Sequence, residues 1–258
     1  MRSGIVTLLT DFGVQEAYVG VMKGVLHARS SALRAVVDLT HEVAPQDVEQ
    51  ARFHLENAWH WFPEGSVHVV VVDPGVGTDR AIAVAEHGGH VFVAPDNGLM
   101  RTLLDPTDEV HRLDLSRYPV PSATFHGRDL FAPAAAELVD GARPRDLGPR
   151  IELELAPERR NEAAADGSVA GRVVHVDRFG NLITDIAASV VGADPARCIA
   201  EIAGLRVRMV AAYGAAEPGD LLALVDSYGA VEIAVRDGDA ARRLGVGRGA
   251  PVKLVLEP

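Results

Sequence analysis

The residues of this 258-residue chain that could do chemistry stand at the ends of its apolar runs. Asp73 closes the run VVVV at 69–72, and a Pro-Gly-Val-Gly turn then leads on to Arg80. Asp11 closes the run from Ile5 to Leu9 and precedes Phe12-Gly13, and Asp96 follows Ala94-Pro95. His126 lies in Phe125-His126-Gly127-Arg128-Asp129, just ahead of an apolar stretch. Water has a pKa near 15.7, so a hydrolase that uses no metal must orient and deprotonate it with side chains. A carboxylate, an imidazole and a guanidinium make such a group. Arg80 would pair with Asp73 and keep it ionised, while His126 or Asp73 accepts the proton. Asp11 adds a carboxylate able to hold a vicinal diol. The plainer reading is that each Asp caps a turn whose glycines supply left-handed dihedrals. Three such strand ends together with a His-Gly-Arg-Asp loop exceed what capping alone explains.

Other chemistries find less support. There is no HExxH, paired-cysteine motif or Asp-rich calcium loop, which points away from a metal site. Gly75-Val76-Gly77 is too short for a dinucleotide fingerprint, and no P-loop lysine follows it. Neither Ser122 nor Thr124 sits on a nucleophile elbow. His27, His54 and His60 read as ordinary helix-surface residues. A formal charge of −11 argues against a nucleic-acid partner. No apolar run approaches the roughly 20 residues that span a bilayer, so no membrane partner is expected. Cys198 is the single cysteine, which rules out an intrachain disulfide and makes a cytoplasmic location the expectation. The opening MRSGIVTLLTDF reads as a first strand and not as a signal peptide.

The elements that must position these residues follow from periodicity. Apolar runs at 5–9, 33–39 and 69–72 predict strands, the last buried on both faces because it does not alternate with polar residues. Between them, 16–29 carries Tyr18, Val21, Met22, Val25 and Leu26 at helical spacing, and 47–62 carries Val48, Ala51, Leu55, Ala58, Trp59 and Phe62. Residues 82–85 and 90–94 flank a hairpin turn, and 130–139 predicts a further helix. Strand alternating with helix predicts an α/β N-terminal domain, 1–157, with a mostly parallel central sheet flanked by helices. The polar 158–168 segment reads as a linker. Residues 169–258 are β-rich with frequent glycine turns and weak helical signal, which predicts a smaller all-β, barrel-like C-terminal domain. Ligands in open α/β sheets collect beyond the carboxyl ends of the strands, where Asp11 and Asp73 fall.

The chain resembles the S-adenosyl-L-methionine (SAM) hydrolases, or SAM hydroxide adenosyltransferases, relatives of the fluorinases and chlorinases. The resemblance rests on TLLTDFG at 7–13, YVGVMKG at 18–24, DLTHEVAPQD at 38–47 and VHVVVVDPGVG at 67–77. It continues through APDNGL at 94–99, FHGRDLFAPAAA at 125–136, DRFGNLITDI at 177–186 and DSYGAVEIA at 226–234. What it implies is attack of water or hydroxide on C5′ of SAM, releasing adenosine and L-methionine, with SAM as substrate and no cofactor. It implies that Asp73, Arg80 and His126 position and activate water, and that Asp11 grips the ribose hydroxyls. Phe125, Phe179 and Asn181 match substrate-lining positions, and Asp177 and Ser227 match contacts to the methionine end. It also implies a homotrimer whose active sites form between the N-terminal domain of one subunit and the C-terminal domain of the next.

Two features set the chain apart from the halogenating relatives. Their halide pocket carries a Tyr where this chain has Asp73, and fluorinases have a Ser where it has Gly127. A carboxylate there would repel a desolvated halide by several kcal/mol at short range in a low dielectric. Two further positions depart from the family pattern. Glu16 stands where relatives more often have Asp, near the methionine amino group, and Gln46 stands where they place an aromatic. A non-enzymatic reading also exists, a module that binds adenosine or SAM without turnover. It would have no need of Asp73, Arg80 and His126 together.

Overall fold

The valine run at 69–72 does form a strand buried on both faces, and it pairs with the strand at 5–10 so that the acidic ends of the two stand side by side. The computed structural model describes residues 2–119, 121–153, 164, 167–192 and 195–256. Its contacts divide the chain into two compact units, Met1–Glu158 and Arg159–Pro258. The 158–168 segment expected as a linker lies almost wholly outside the described residues.

In the first unit, β1 (Ile5–Thr10), α1 (Tyr18–Arg29), β2 (Ala35–Thr40), α2 (Val48–Ala58) and β3 (Val67–Val71) alternate as the periodicity predicts. The hairpin β4 (Ile82–His87) and β5 (His90–Pro95) follows, and then come β6 (Val110–Arg112), α3 (Ala132–Val139), α4 (Pro144–Leu147) and β7 (Arg150–Ile151). The seven strands form one sheet in the order β2-β1-β3-β5-β4-β6-β7. Its left half, β2-β1-β3-β5, is parallel, and β4, β6 and β7 extend it antiparallel. Parallel β1 and β3 run in register from Val6↔Val67 to Thr10↔Val71, so the residues after them emerge together.

Each sheet face carries its own core, as a doubly covered parallel sheet requires. One packs Val6, Leu8, Val69 and Val71 against Met22 and Leu26 of α1 and Leu130, Phe131 and Leu138 around α3. The other packs Leu9, Val70 and Val72 with Ala51 and Leu55 of α2, and with Phe92 and Leu99. The buried face of α1 is Val19, Met22 and Leu26, whereas Tyr18 and Val21 from the expected apolar stripe are exposed. Helix α2 begins on Asp47, whose carboxylate accepts from the Gln50 N–H, and passes into a 3₁₀ turn at Trp59–Trp61.

The second unit is β8 (Val169–Val176), β9 (Leu182–Ala187), β10 (Cys198–Ile202), β11 (Leu205–Arg208), β12 (Leu221–Val225), β13 (Ala230–Val235), α5 (Ala240–Leu244) and β14 (Pro251–Leu256). Its strands run in the order β11-β10-β14-β8-β9-β13-β12, every hydrogen-bonded neighbour antiparallel. A bridge between Met209 and Ala223 joins the two ends of that order, so the sheet nearly closes into a barrel. Val173, Leu182, Ile186, Ala200, Ile233 and Leu254 fill its interior.

Candidate active site

Asp73 leaves the sheet two residues beyond β3 and enters a turn in which the Val76 N–H donates to its carbonyl. The end of β3 is itself pinned, since the Asn97 Nδ2 donates to the Val72 carbonyl at 2.9 Å. The turn doubles back so that Arg80 reaches Asp73. Arg80 Nε lies 2.9 and 3.0 Å from the two carboxylate oxygens, and its Nη2 also donates to Oδ2. Both side chains are nearly buried, at 10 % and 5 % exposure, so water screens this pair far less than a surface one. The guanidinium stands 5.8 Å from the Phe131 ring centroid, a cation–π contact that continues its apolar surround.

His126 completes the group. Its Nδ1 is 2.9 Å from Arg80 Nη2. A guanidinium carries donors and no acceptor, so Nδ1 must offer its lone pair, and the neutral ring keeps its proton on Nε2. Burial lowers the proton affinity of His126 below its usual value, and the adjacent Arg80 charge lowers it further. Asp73 and Asp129 pull the other way without reversing the shift.

What brings His126 to Arg80 is a close approach of two loops. Gly77 has φ +80°, and a Cβ there would lie 2.6 Å from the Ala123 carbonyl. The 121–125 segment is fixed in turn by Asp129, whose carboxylate accepts the Ser122 N–H at 2.8 Å and pairs with Arg128. After His126 the chain makes a π-turn, Gly127–Phe131, before α3 begins. Gly127 faces Met22, Phe12 and Phe125, with 3.0 to 3.4 Å available to any added Cβ. Phe125 packs edge-on against Phe12 (6.0 Å) and Tyr18 (5.1 Å), which places the segment after β1 beside the segment before α3. Tyr18, outside the buried face of its helix, therefore has a place in this aromatic group.

Asp11 follows β1, next to β3 in the sheet, and its Oδ2 accepts the Gln46 N–H at 2.8 Å. Gln46 holds that donor in place from a left-handed conformation, φ 65°. Glu16 is exposed ahead of α1. The structure thus gathers Asp73, Arg80 and His126 into one hydrogen-bonded network, with Phe125 next to His126 in the chain and packed on Phe12 and Tyr18, and Asp11 on the neighbouring strand end.

In the second unit, Asp177, Phe179 and Asn181 form the β8–β9 turn. Asp177 Oδ1 accepts the N–H groups of Phe179 and Asn181 at 2.9 and 2.8 Å, and Oδ2 accepts the Asn181 amide at 3.0 Å. Phe179 is left 73 % exposed. Ser227 stands apart, in the β12–β13 turn that Asp226 organises by accepting the Tyr228 and Ala230 N–H groups. The two turns meet electrostatically at Glu232. This buried carboxylate accepts from the Tyr213 hydroxyl, and burial, Asp177 and Asp226 all raise its proton affinity. Neither Tyr213 nor Glu232 carries a sequence signal, since one lies in a loop and the other in an apolar strand. Among the described residues, His87, Asp105 and Asp108 have metal-ligand spacing. They lie by the β4–β5 turn, away from the strand ends just described, and His87 is already paired with Asp108 at 2.7 Å.

Comparison with known proteins agrees with the sequence resemblance. The family described as SAM hydroxide adenosyltransferase matches with its N-terminal domain over residues 6–148 and its C-terminal domain over 171–253. The (R)-S-adenosyl-L-methionine hydrolase of Thermus thermophilus is 41% identical over 262 residues, covering 97% of this chain and 99% of its own length. A crystal structure of an uncharacterized conserved protein from Thermotoga maritima superposes with a TM-score of 0.88 at 34% identity, covering 97% of this chain and 99% of that one. A fluorinase from Nocardia brasiliensis is more distant, 26% identical over 216 residues and 72% of each chain.

Proposed function

The chain belongs to the SAM hydroxide adenosyltransferase family, and from that premise we propose that it hydrolyses SAM to adenosine and L-methionine. The observation that carries the reading is the buried Asp73–Arg80–His126 network at the carboxyl end of the sheet. The reaction suits a site of this kind. Methionine leaves a sulfonium as a neutral thioether, so the leaving group needs no general acid. Hydroxide attacking a cation loses charge in the transition state, which a dry site favours over bulk water. In-line geometry at C5′ is then the main demand, and a clamped ribose supplies it.

Roles follow from the hydrogen bonding. Arg80 donates to both Asp73 and His126, so His126 offers its Nε2–H to the oxygen of the nucleophile, and Asp73 is the member of the trio able to take its proton. Asp11 holds the ribose hydroxyls and Phe125 flanks them. Phe179 and Asn181 line the adenosine, while Asp177 and Ser227 serve the methionine end. Since those four belong to the second unit, the proposal includes a homotrimer in which each site takes its N-terminal half from one subunit and its C-terminal half from the next. No redox or group-carrying cofactor enters this chemistry, and a cytoplasmic location accords with a substrate that cells make there.

Incubating purified protein with SAM and separating the products tests the reading. Stoichiometric adenosine and methionine are expected. Intact SAM beside measurable adenosine binding would favour the non-catalytic binding module instead.

A further inference from the structure

The residues on either side of Asp11 are tied to one buried histidine, Thr10 through its ring and Gly13 through its backbone carbonyl. Thr10 Oγ1 accepts the Phe12 N–H at 3.2 Å and hydrogen-bonds His41 Nδ1 at 2.9 Å. Gly13 donates its N–H to the His41 carbonyl at 2.8 Å. Thr10 is fully buried and His41 is 5 % exposed. On its far side His41 Nε2 lies 3.0 Å from Asp38 Oδ1, and Asp38 is held in turn by Lys23 at 2.6 Å. The loop that His41 begins ends at Gln46, whose strained backbone delivers its N–H to Asp11 Oδ2.

A side chain buried between a hydrogen bond on one ring nitrogen and a carboxylate 3.0 Å from the other is restrained in orientation, and whatever leans on it inherits that restraint. Residues 10, 12 and 13 all lean on His41 or on its partner Thr10. Residue 11, between them, is exposed enough to meet a ligand but has little freedom to turn.

We propose that Thr10 and His41 are positioning residues that aim the Asp11 carboxylate at the ribose hydroxyls. The proposal rests on the reading of Asp11 as the ribose grip. It predicts an effect on one ligand feature and not on binding in general, which separates it from ordinary loop stitching. A loose Asp11 gives up hydroxyl recognition, whereas a loose fold weakens every ligand.

The test compares the affinities of adenosine and 2′-deoxyadenosine by calorimetry in wild type, Asp11→Ala, Thr10→Val, His41→Ala and His41→Asn, with melting temperatures alongside. Wild type should prefer adenosine by roughly 10-fold, about one charge-assisted hydrogen bond. Thr10→Val and His41→Ala should bring that preference close to the Asp11→Ala value, with deoxyadenosine affinity within about twofold of wild type. His41→Asn, which keeps a polar atom near the Nδ1 position, should restore part of it. An unchanged preference in a folded Thr10→Val protein would overturn the proposal, as would equal weakening of both nucleosides. If His41→Ala does not fold, Thr10→Val decides alone. A wild type with no preference removes Asp11 as ribose grip and the proposal with it. SAM turnover by the same preparation then reports separately on the hydrolase reading.

Discussion

Seven positions separate Asp73 from Arg80, and a glycine-bearing turn lets the guanidinium fold back onto both oxygens of the carboxylate. Nη2 of Arg80 shares in that pairing and engages His126 as well. Asp73→Asn and His126→Ala should each lower kcat by at least about 10²-fold, a typical contribution of a general base or of a donor aimed at the reacting oxygen, as followed by adenosine release; near-wild-type rates in both would remove the trio from the mechanism. Burial and Arg80 lower the proton affinity of His126, so its cation forms only below the usual pH 6.5. An imidazolium would turn an N–H toward the Arg80 cation and break the contact. The rate constant kcat/KM should therefore be flat above that pH and fall as pH drops through the lowered value, and a His126→Gln variant should lose this limb. At this scale the charged residues were legible because Asp at the end of an apolar run, and His-Gly-Arg-Asp ahead of a helix, are conspicuous. Thr10 and His41 were not, since a threonine in a strand and a histidine in a turn fit almost any structure.

The elements show where periodicity suffices and where local geometry intervenes. The four valines at 69–72 announced a strand covered on both faces, and Val69 to Val72 are all buried. In α1 the same reasoning set Tyr18 and Val21 inside, whereas the helix starts at Tyr18 and turns Val19, Met22 and Leu26 to the sheet. Tyr18 is outside because it has aromatic partners in Phe12 and Phe125, a tertiary fact that no spacing encodes. The π-turn at Gly127–Phe131 was equally hidden, as one wide turn leaves no periodic trace in a five-residue stretch. Helix α5 lies between an Asp239 cap and a left-handed Gly245, a legible start and stop around too few residues to show a period. The element most exposed to test is the 73–80 turn. Gly77→Ala combines a left-handed φ with a collision against Ala123, so it should destabilise the protein by roughly 1–3 kcal/mol in urea unfolding. It should also lower kcat by separating Arg80 from His126. A fully active, equally stable variant would show that the two loops need not touch.

For the whole molecule, acid sensitivity has an identifiable source away from the candidate site. His68 is fully buried on β3, bonded to Thr7 at 2.8 Å and to His90 at 3.0 Å. Burial, aided by His90, pulls its pKa down to about 3. The unfolded chain thus takes up a proton near pH 6.5 while the folded chain refuses it. The resulting stability is intact above that pH and is lost progressively as pH falls toward 3, on the order of 5 kcal/mol in all. His68→Asn should flatten this slope in urea midpoints measured between pH 6.5 and 4, and an unaltered slope would assign the sensitivity elsewhere. The two-unit division was readable from composition, because helical periodicity stops where the β-rich half begins. The Met209–Ala223 bridge across the barrel seam was not, being a contact between remote segments. The proposed inter-subunit sites predict that Asp73→Asn and Asn181→Ala proteins, each inactive alone, recover about a quarter of wild-type activity when refolded together as mixed trimers. No recovery would place each complete site within a single chain. The most direct measurement is to incubate the protein with SAM in ¹⁸O-water containing excess chloride and to weigh the products. Attack by water at C5′ predicts adenosine carrying the label and methionine without it. Unlabelled adenosine, or 5′-chloro-5′-deoxyadenosine in its place, would contradict the assignment of Asp73, Arg80 and His126 to the activation of water.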